Sequence, residues 1–303
     1  MAIGDLREVE TGGCEDLYYV DVGLYGTPEY GSVYILDAER PAVVDPGTGA
    51  NRELIFDAMA EVGIAPEDLA VIAVTHVHLD HAGGAGYLAR ECENATVTVH
   101  ERGARHLADP ERLVAGTKQV VGARWQHYAD PLPIDEERLT VVTDGDVVDL
   151  GDHELRVHHA PGHAPHQVVY HDPTNDAVFT ADAAGIYAPS RDEVQPTSPP
   201  VNFDLEQVLA DVETIRDIDP ETLLYGHFGP APTADRLDEY AETIEAWVES
   251  IRAARERLDD DDAVADHFVE RADTADLWGE EQSELETRLN VDGVLVYLDQ
   301  REE

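Results

Sequence analysis

Four times along this chain an apolar run stops at a histidine or an aspartate, and the chain then turns. Val71-Ile72-Ala73-Val74 leads into Thr75-His76-Val77-His78-Leu79-Asp80-His81 and then Gly83, Gly84 and Gly86. Leu155–His159 leads through Ala160-Pro161-Gly162 to His163, Ala177–Ala181 stops at Asp182, and Thr222–Gly226 stops at His227. Short apolar runs bounded by turn residues read as buried strands. A fold that honours all four must bring several strand ends together, and loops at strand ends are where rigid scaffolds display chemistry.

The densest of the four places three imidazoles and a carboxylate within six positions, 76–81. An isolated histidine at a strand end is ordinarily a solvated one; four ligand-type side chains in so short a span point to a metal. Imidazole with carboxylate suits Zn, Fe, Mn or Ni. If the chain stays extended here, residues 76, 78 and 80 share a side and His81 faces elsewhere. The following glycines let the backbone turn closely around the held group.

Charge excludes some functions. The chain of 303 residues has 65 acidic and 20 basic side chains, a net charge of −45, and Lys118 is its one lysine. Nucleic-acid binding rests on Lys and Arg contacts to phosphate, so a nucleic-acid partner is not expected, nor is an anionic membrane surface. Regular strand and helix patterns argue against disorder. The composition fits a halophile's surface in molar salt, where the Debye length is about 3 Å and self-repulsion is screened. No apolar run approaches a membrane span, and the N-terminus has no secretory core segment. Cys14 and Cys92 lie far apart, outside any CxxC pattern, as reduced thiols in a cytoplasmic protein would.

Strand patterns cover 17–22, 32–37, 42–45, 71–75 and 96–100, with helices at 52–62 and near 84–92. Residues 101–135 are mixed and more polar. Strands return at 139–142, 147–150, 154–159, 167–171, 177–181 and 222–226, a helix at 204–218, and the stretch 234–303 is mostly helical with an acidic hinge at Asp259–Asp262. Two β-rich halves, each followed by helices, predict a four-layer αββα sandwich with the ligands along one edge. The expected division is a sandwich domain, 1–232, and a helical C-terminal extension, 233–303, packed on it.

With THVHLDH, the lone His163 after Pro-Gly, Asp182 in FTAD, His227 in YGHFG and the early VVDPGTG at 43–49, the chain resembles the metallo-β-lactamase superfamily over roughly residues 17–230. HERGARHLADPERL, GHAPHQ, ADAAGIY and YGHFGP further resemble a prokaryotic subgroup near the glyoxalase II branch. The resemblance implies the αββα fold and two divalent ions, Zn first, with Fe or Mn as alternatives. It assigns His76, His78 and His163 to one metal, Asp80, His81 and His227 to the other, and Asp182 to both. It also implies hydrolysis of a small ester or thioester by a metal-bridging hydroxide, with Asp80 orienting it and taking its proton. Asp45 is a candidate to support an imidazole. His166 and Tyr187 are weaker candidates for substrate contact, and the loop 197–203, TSPPVNF, for a pocket wall. The alternative is a mononuclear non-haem iron persulfide dioxygenase using His76, His163 and Asp182. Glutathione recognition would call for basic residues in the C-terminal region, where Arg252, Arg255 and Arg257 lie among many acids. A small-molecule substrate is expected either way, and nothing sets an oligomeric state.

Overall fold

The computed structural model describes residues 1–302. Its first sheet runs in chain order: β1 (Leu6–Glu8), β2 (Leu17–Asp21), β3 (Ser32–Leu36), β4 (Ala42–Val44), β5 (Val71–Ala73), β6 (Thr96–His100) and β7 (Leu139–Val142). The pairs from β1 to β4 are antiparallel and those from β4 to β7 parallel. The parallel crossovers carry α1 (Arg52–Val62), α2 (Leu79–Ala82), α3 (Ala85–Glu91), α4 (Glu101–Ala108) and α5 (Glu111–Val121). The mixed stretch after residue 100 is thus largely helical.

The second sheet is built from β8 (Val147–Asp149), β9 (Glu154–His159), β10 (Val168–Asp172) and β11 (Ala177–Ala181). A hairpin, β12 (Ile186–Ala188) with β13 (Glu193–Gln195), and α6 (Leu205–Ile218) precede its last strands, β14 (Thr222–Tyr225) and β15 (Gly229–Pro232). The order is β15-β14-β11-β10-β9-β8, antiparallel except where β11 meets β14. Then follow α7 (Arg236–Arg255), α8 (Asp261–Val269), α9 (Ala275–Trp278) and α10 (Glu280–Glu302). Sequence patterning gave no sign of β1, β15 or the hairpin: β1 and β15 are short edge strands, and the hairpin strands have three residues each.

Strand alternation divides the core into three. Val44, Ala73, Val157, Tyr170, Phe179 and Leu224 meet between the two sheets. One residue along, Val43 and Ile72 face the other way and pack on Ile55 and Met59 of α1 and Leu88 of α3. Behind the second sheet, Val169, Val178 and Leu223 pack on Val212 of α6, Tyr240, Ile244 and Val248 of α7 and Val294 of α10. Those α7 positions recur at helical spacing, so one stripe is buried. The result is helix, sheet, sheet, helix: the four-layer αββα sandwich, with the C-terminal helices in its outer layer.

Local chemistry sets the element ends. Asp204 accepts a hydrogen bond from the Gln207 backbone N–H at 3.2 Å, capping α6, which carries Glu206 in its first turn and Arg216 in its last. Gly84 is required by close approach, because a Cβ there would sit 2.1 Å from the Pro46 carbonyl oxygen. Gly162 is required likewise: its Cβ would meet the Val208 backbone nitrogen of α6 at 2.3 Å. These contacts press the turns that carry the ligand-type residues against rigid elements.

Candidate metal centre

The loops after β4, β5, β9, β11 and β14 converge on one edge. The chain does not stay extended through 76–81, since α2 begins at Leu79 with His78 as its N-cap residue. The extended reading fails here because the backbone N–H groups of His81 and Ala82 turn back to the His78 carbonyl, at 3.1 and 2.8 Å, and that of Gly83 to Leu79, which closes a helical turn. Asp80 and His81 therefore leave a helix while His76 and His78 leave the loop, and the four side chains divide into two sets. One set is His76, His78, His163 and Asp182; the other is Asp80, His81 and His227. Within each, the ligand atoms lie within 4.8 Å of one another.

Asp182 stands between the sets. Its Oδ2 is 3.4 Å from His76 Nε2, 3.1 Å from His163 Nε2 and 3.3 Å from His81 Nε2, while Oδ1 is 3.4 Å from His227 Nε2. The carboxylate is buried, and its Oδ1 has no hydrogen-bond partner among the described residues.

The proton count shows what the sets are built for. His81 Nδ1 lies 3.0 Å from Asp45 Oδ2 and His227 Nδ1 lies 2.8 Å from the Tyr30 carbonyl oxygen. Both acceptors require an N–H, so in the neutral imidazoles both Nε2 atoms carry lone pairs, and these face each other at 3.1 Å. The Thr75 hydroxyl donates to Asp45 Oδ2 at 2.7 Å, which leaves its oxygen to accept from His76 Nδ1 at 3.1 Å. His76 Nε2 is then bare as well, 3.1 Å from His78 Nδ1, which is 3.0 Å from His163 Nε2. Lone pairs that converge in a buried place need a cation between them, so the donor set fits divalent metal ions.

The electrostatics agree. Burial, reinforced by His81 and His78, holds the His76 imidazole well below its ordinary range, and burial pushes His163 down to about 3. Both therefore stay in the neutral, ligating form. Burial would raise the Asp182 carboxyl, but His163, His81 and His227 outweigh it and hold it well below the carboxylate range. His81 moves the other way: burial would lower it, and Asp182 and Asp45 more than reverse that. A field that favours a proton at His81 favours a cation in the proton's place.

Asp45 has a left-handed backbone, φ 51°, and also accepts the Thr75 backbone N–H at 2.8 Å. A non-glycine residue held there costs on the order of 1–3 kcal/mol and is kept where the surroundings over-determine it. Asp45 thus ties His81 to the Thr75–His76 strand end. Thr75 was not singled out by sequence reasoning; its place inside THVHLDH was the available signal.

A cavity of about 400 Å³ opens over the sets, lined by His78, Asp80, His163, Asp182 and His227. Tyr25, Tyr30, Tyr128 and Leu79 form its near wall. Its outer walls are α5, the loop 197–202, and Glu286 and Leu289 of α10. The TSPPVNF loop is a wall of the pocket. His166 and Tyr187 are not among the residues that line it. His166 lies behind the ligands, its ring stacked parallel to His76 with centroids 6.3 Å apart, and burial pushes it down to about 2. Tyr187 turns into the outer core, where its hydroxyl donates to Asp192 at 2.8 Å and its ring stacks on Tyr225. Sequence reasoning missed Tyr25, Tyr128 and α10 as cavity walls; Tyr25 is flanked by Gly23 and Gly26, all three at positive φ.

Two clusters of His and carboxylate donors at one edge of an αββα sandwich define the class as a metal-binding protein of this fold. A family model described as the metallo-beta-lactamase superfamily matches residues 26–227, and the chain belongs to that superfamily. A metallo-beta-lactamase fold-containing protein of Sulfurisphaera tokodaii is 26% identical over 221 residues, 71% of this chain and 79% of that one. The acyl-coenzyme A thioesterase MBLAC2 of Gallus gallus is 29% identical over 182 residues, 55% of this chain and 62% of that one. Among solved structures, an archaeal metallo-beta-lactamase superfamily protein from Sulfolobus tokodaii superposes with a TM-score of 0.71 at 22% identity, covering 96% of this chain and all of that one. No helix of the described residues is long and apolar enough to cross a membrane.

Proposed function

We propose that the chain hydrolyses a small ester or thioester at a dinuclear site. The observation that carries this reading is the Asp182 carboxylate standing between two converging donor sets at the floor of an open cavity. The likeness to the thioesterase MBLAC2 supports a thioester, although the chain spans less than two thirds of that relative.

When bound, divalent cations supply Lewis acidity and a nucleophile at neutral pH. The chain's own residues do the rest. His76, His78 and His163 would hold one ion, Asp80, His81 and His227 the second, with Zn the first candidate. Asp182 fixes the spacing between the two sets. Asp45, Thr75 and the Tyr30 carbonyl hold the tautomers of His81, His76 and His227. Asp80 lines the cavity, with Oδ2 3.8 Å from His227 Nε2, and is the acid placed to orient a water and receive its proton. Tyr25 and Tyr128 pair their hydroxyls at 2.5 Å, which uses one of their two protons and leaves one O–H to donate to another acceptor. In this reading residues 1–232 carry the chemistry and 233–302 form a helical extension that closes the cavity from outside; Glu303 lies outside the described residues. The setting is a salt-rich cytoplasm.

Metal analysis with a thioester screen tests the reading. Wild-type protein is expected to hold two divalent ions and turn over a thioester, and Asp182→Ala at most one ion with no turnover. Two ions in the variant would refute the shared-carboxylate model. One iron per chain with oxygen consumption on a persulfide would replace hydrolysis by dioxygenase chemistry.

A further inference from the structure

The outer half of the cavity differs from the rest of the surface. In a chain with 65 acidic residues, 112–129 carry three cations, Arg112, Lys118 and Arg124, and no carboxylate. This stretch holds most of α5, which forms one jaw through Leu113, Gly116, Thr117, Val120 and Val121. The facing jaw is Pro199, Pro200 and Val201. Val120 is 40% exposed and Val201 58%, two of the five large apolar side chains that stand exposed among the described residues. Exposed apolar groups placed on both sides of one opening mark a surface that meets an apolar ligand.

Charge narrows the ligand further. Among the described residues, no arginine or lysine lines the cavity. The buried cation nearest its wall, Arg124, is already engaged: its Nη1 bonds Glu286 Oε2 at 3.1 Å and its guanidinium lies 4.8 Å from the centre of the Tyr25 ring. The other Glu286 oxygen accepts from Asn290 Nδ2 at 2.9 Å. Asn290 in turn holds the opposite jaw, accepting from the Ser198 hydroxyl at its carbonyl at 2.9 Å. The jaws are therefore fixed by neutralised groups. A carboxylate brought between them would lose its water and meet only the uncharged polar groups of Thr117, Gln119, Thr197 and Asn202, with no cation to replace its hydration.

We infer that the channel between α5 and the 197–202 loop takes an uncharged, apolar acyl chain of several carbons and rejects one that ends in a carboxylate. For the acyl group as substrate, this rests on the hydrolase reading. As a binding site it stands by itself, because Trp125 stacks on Tyr128 and Trp278 packs on Tyr30, at 5.1 and 5.0 Å between centroids, and both report on the cavity.

The test uses the metal-loaded protein and thioesters of N-acetylcysteamine with acetyl, hexanoyl and adipoyl groups. Tryptophan-fluorescence titrations with hexanamide, acetamide and the adipic acid monoamide run in parallel. The hexanoyl ester should exceed both others in kcat/KM by at least about tenfold, since each buried methylene contributes several-fold. Hexanamide should bind more tightly than acetamide and than the acidic amide. Val201→Asp should cut the hexanoyl-to-acetyl preference at least about fivefold. Equal turnover of the three esters, or binding of the acidic amide as tight as that of hexanamide, would overturn the inference. Hexanamide binding with no turnover of any ester would support the channel and sink the hydrolase reading instead.

Discussion

Replacing Asp45 by asparagine removes one charge and changes no volume, so the outcome depends on hydrogen bonds alone. In the wild type, Oδ1 accepts the Thr75 backbone N–H, and Oδ2 accepts both the Thr75 hydroxyl and His81 Nδ1–H. An amide can keep the first bond through its oxygen, which leaves its NH₂ facing two donors. The Thr75 hydroxyl can turn to accept from the amide as well as from His76 Nδ1–H, but its own proton then has lost its Asp45 acceptor. His81 can accept from the amide only by moving its proton to Nε2, the atom that faces His227 and Asp182. Every rearrangement thus removes a lone pair from the metal site or leaves a buried donor unpaired. A bond to a charged group is worth about 1.5–3 kcal/mol, and losing a partner that orients a metal-bound imidazole costs about 10–100-fold in metal affinity. Asp45→Asn should therefore weaken the site of Asp80, His81 and His227 by about 10–100-fold. The site of His76, His78 and His163 should be affected less, through Thr75 alone. Competition against a chelator of known affinity, followed ion by ion, measures this. Two ions held at wild-type affinity would refute the tautomer argument.

Three further outcomes are expected. Asp80→Asn should keep the fold but lower kcat by about 100-fold or more, because an amide keeps the shape and cannot take a proton; wild-type kcat with metals bound would count against that role. Asp211, buried in α6 and accepting the Gly162 N–H at 2.6 Å, is pushed up to about 7 by burial. Its folded pKa lies above the free-carboxylate value of about 3.9, so stability falls as pH rises from about 4 to about 7 and is level beyond that. Asp211→Asn keeps the acceptor and should gain about 2–4 kcal/mol at pH 8 and nothing near pH 4; denaturant melts at the two pH values decide it. Lowering salt from 1 M to 0.01 M lengthens the Debye length from about 3 to about 30 Å, which should lower the Tm of a chain with net charge −45; a constant Tm would refute the halophilic reading.

The parts of the site legible in sequence are those whose chemistry is intrinsic to residue type. Histidines and aspartates at the ends of apolar runs have few other uses in such density, so the ligand-type positions could be named before their geometry. Asp45 was reachable for the same reason, as a carboxylate closing a strand. Thr75 was not, because a threonine before a histidine looks like any β-branched strand residue. Only the Asp45 contact shows that its hydroxyl sets the proton of His76.

What failed to show in the sequence fails for a reason of distance. His166 lies three residues from His163, and that nearness suggested a shared pocket; the turn at 164–167 instead carries its ring behind His76. Tyr187 follows Asp182 by five residues, but β12 faces it into the outer core, where Asp192 takes its hydroxyl. The true walls come from afar: Tyr25 and Tyr128 are 103 residues apart, and Glu286 is held by Arg124, 162 residues away behind the wall. Local patterning reports which face of an element is apolar and is silent on what that face meets. The exposed valines of the jaws carry no local signal at all, since a single surface valine is ordinary. They gain meaning only as a pair across an opening, between neutralised charges and above a metal site, and that juxtaposition belongs to tertiary structure.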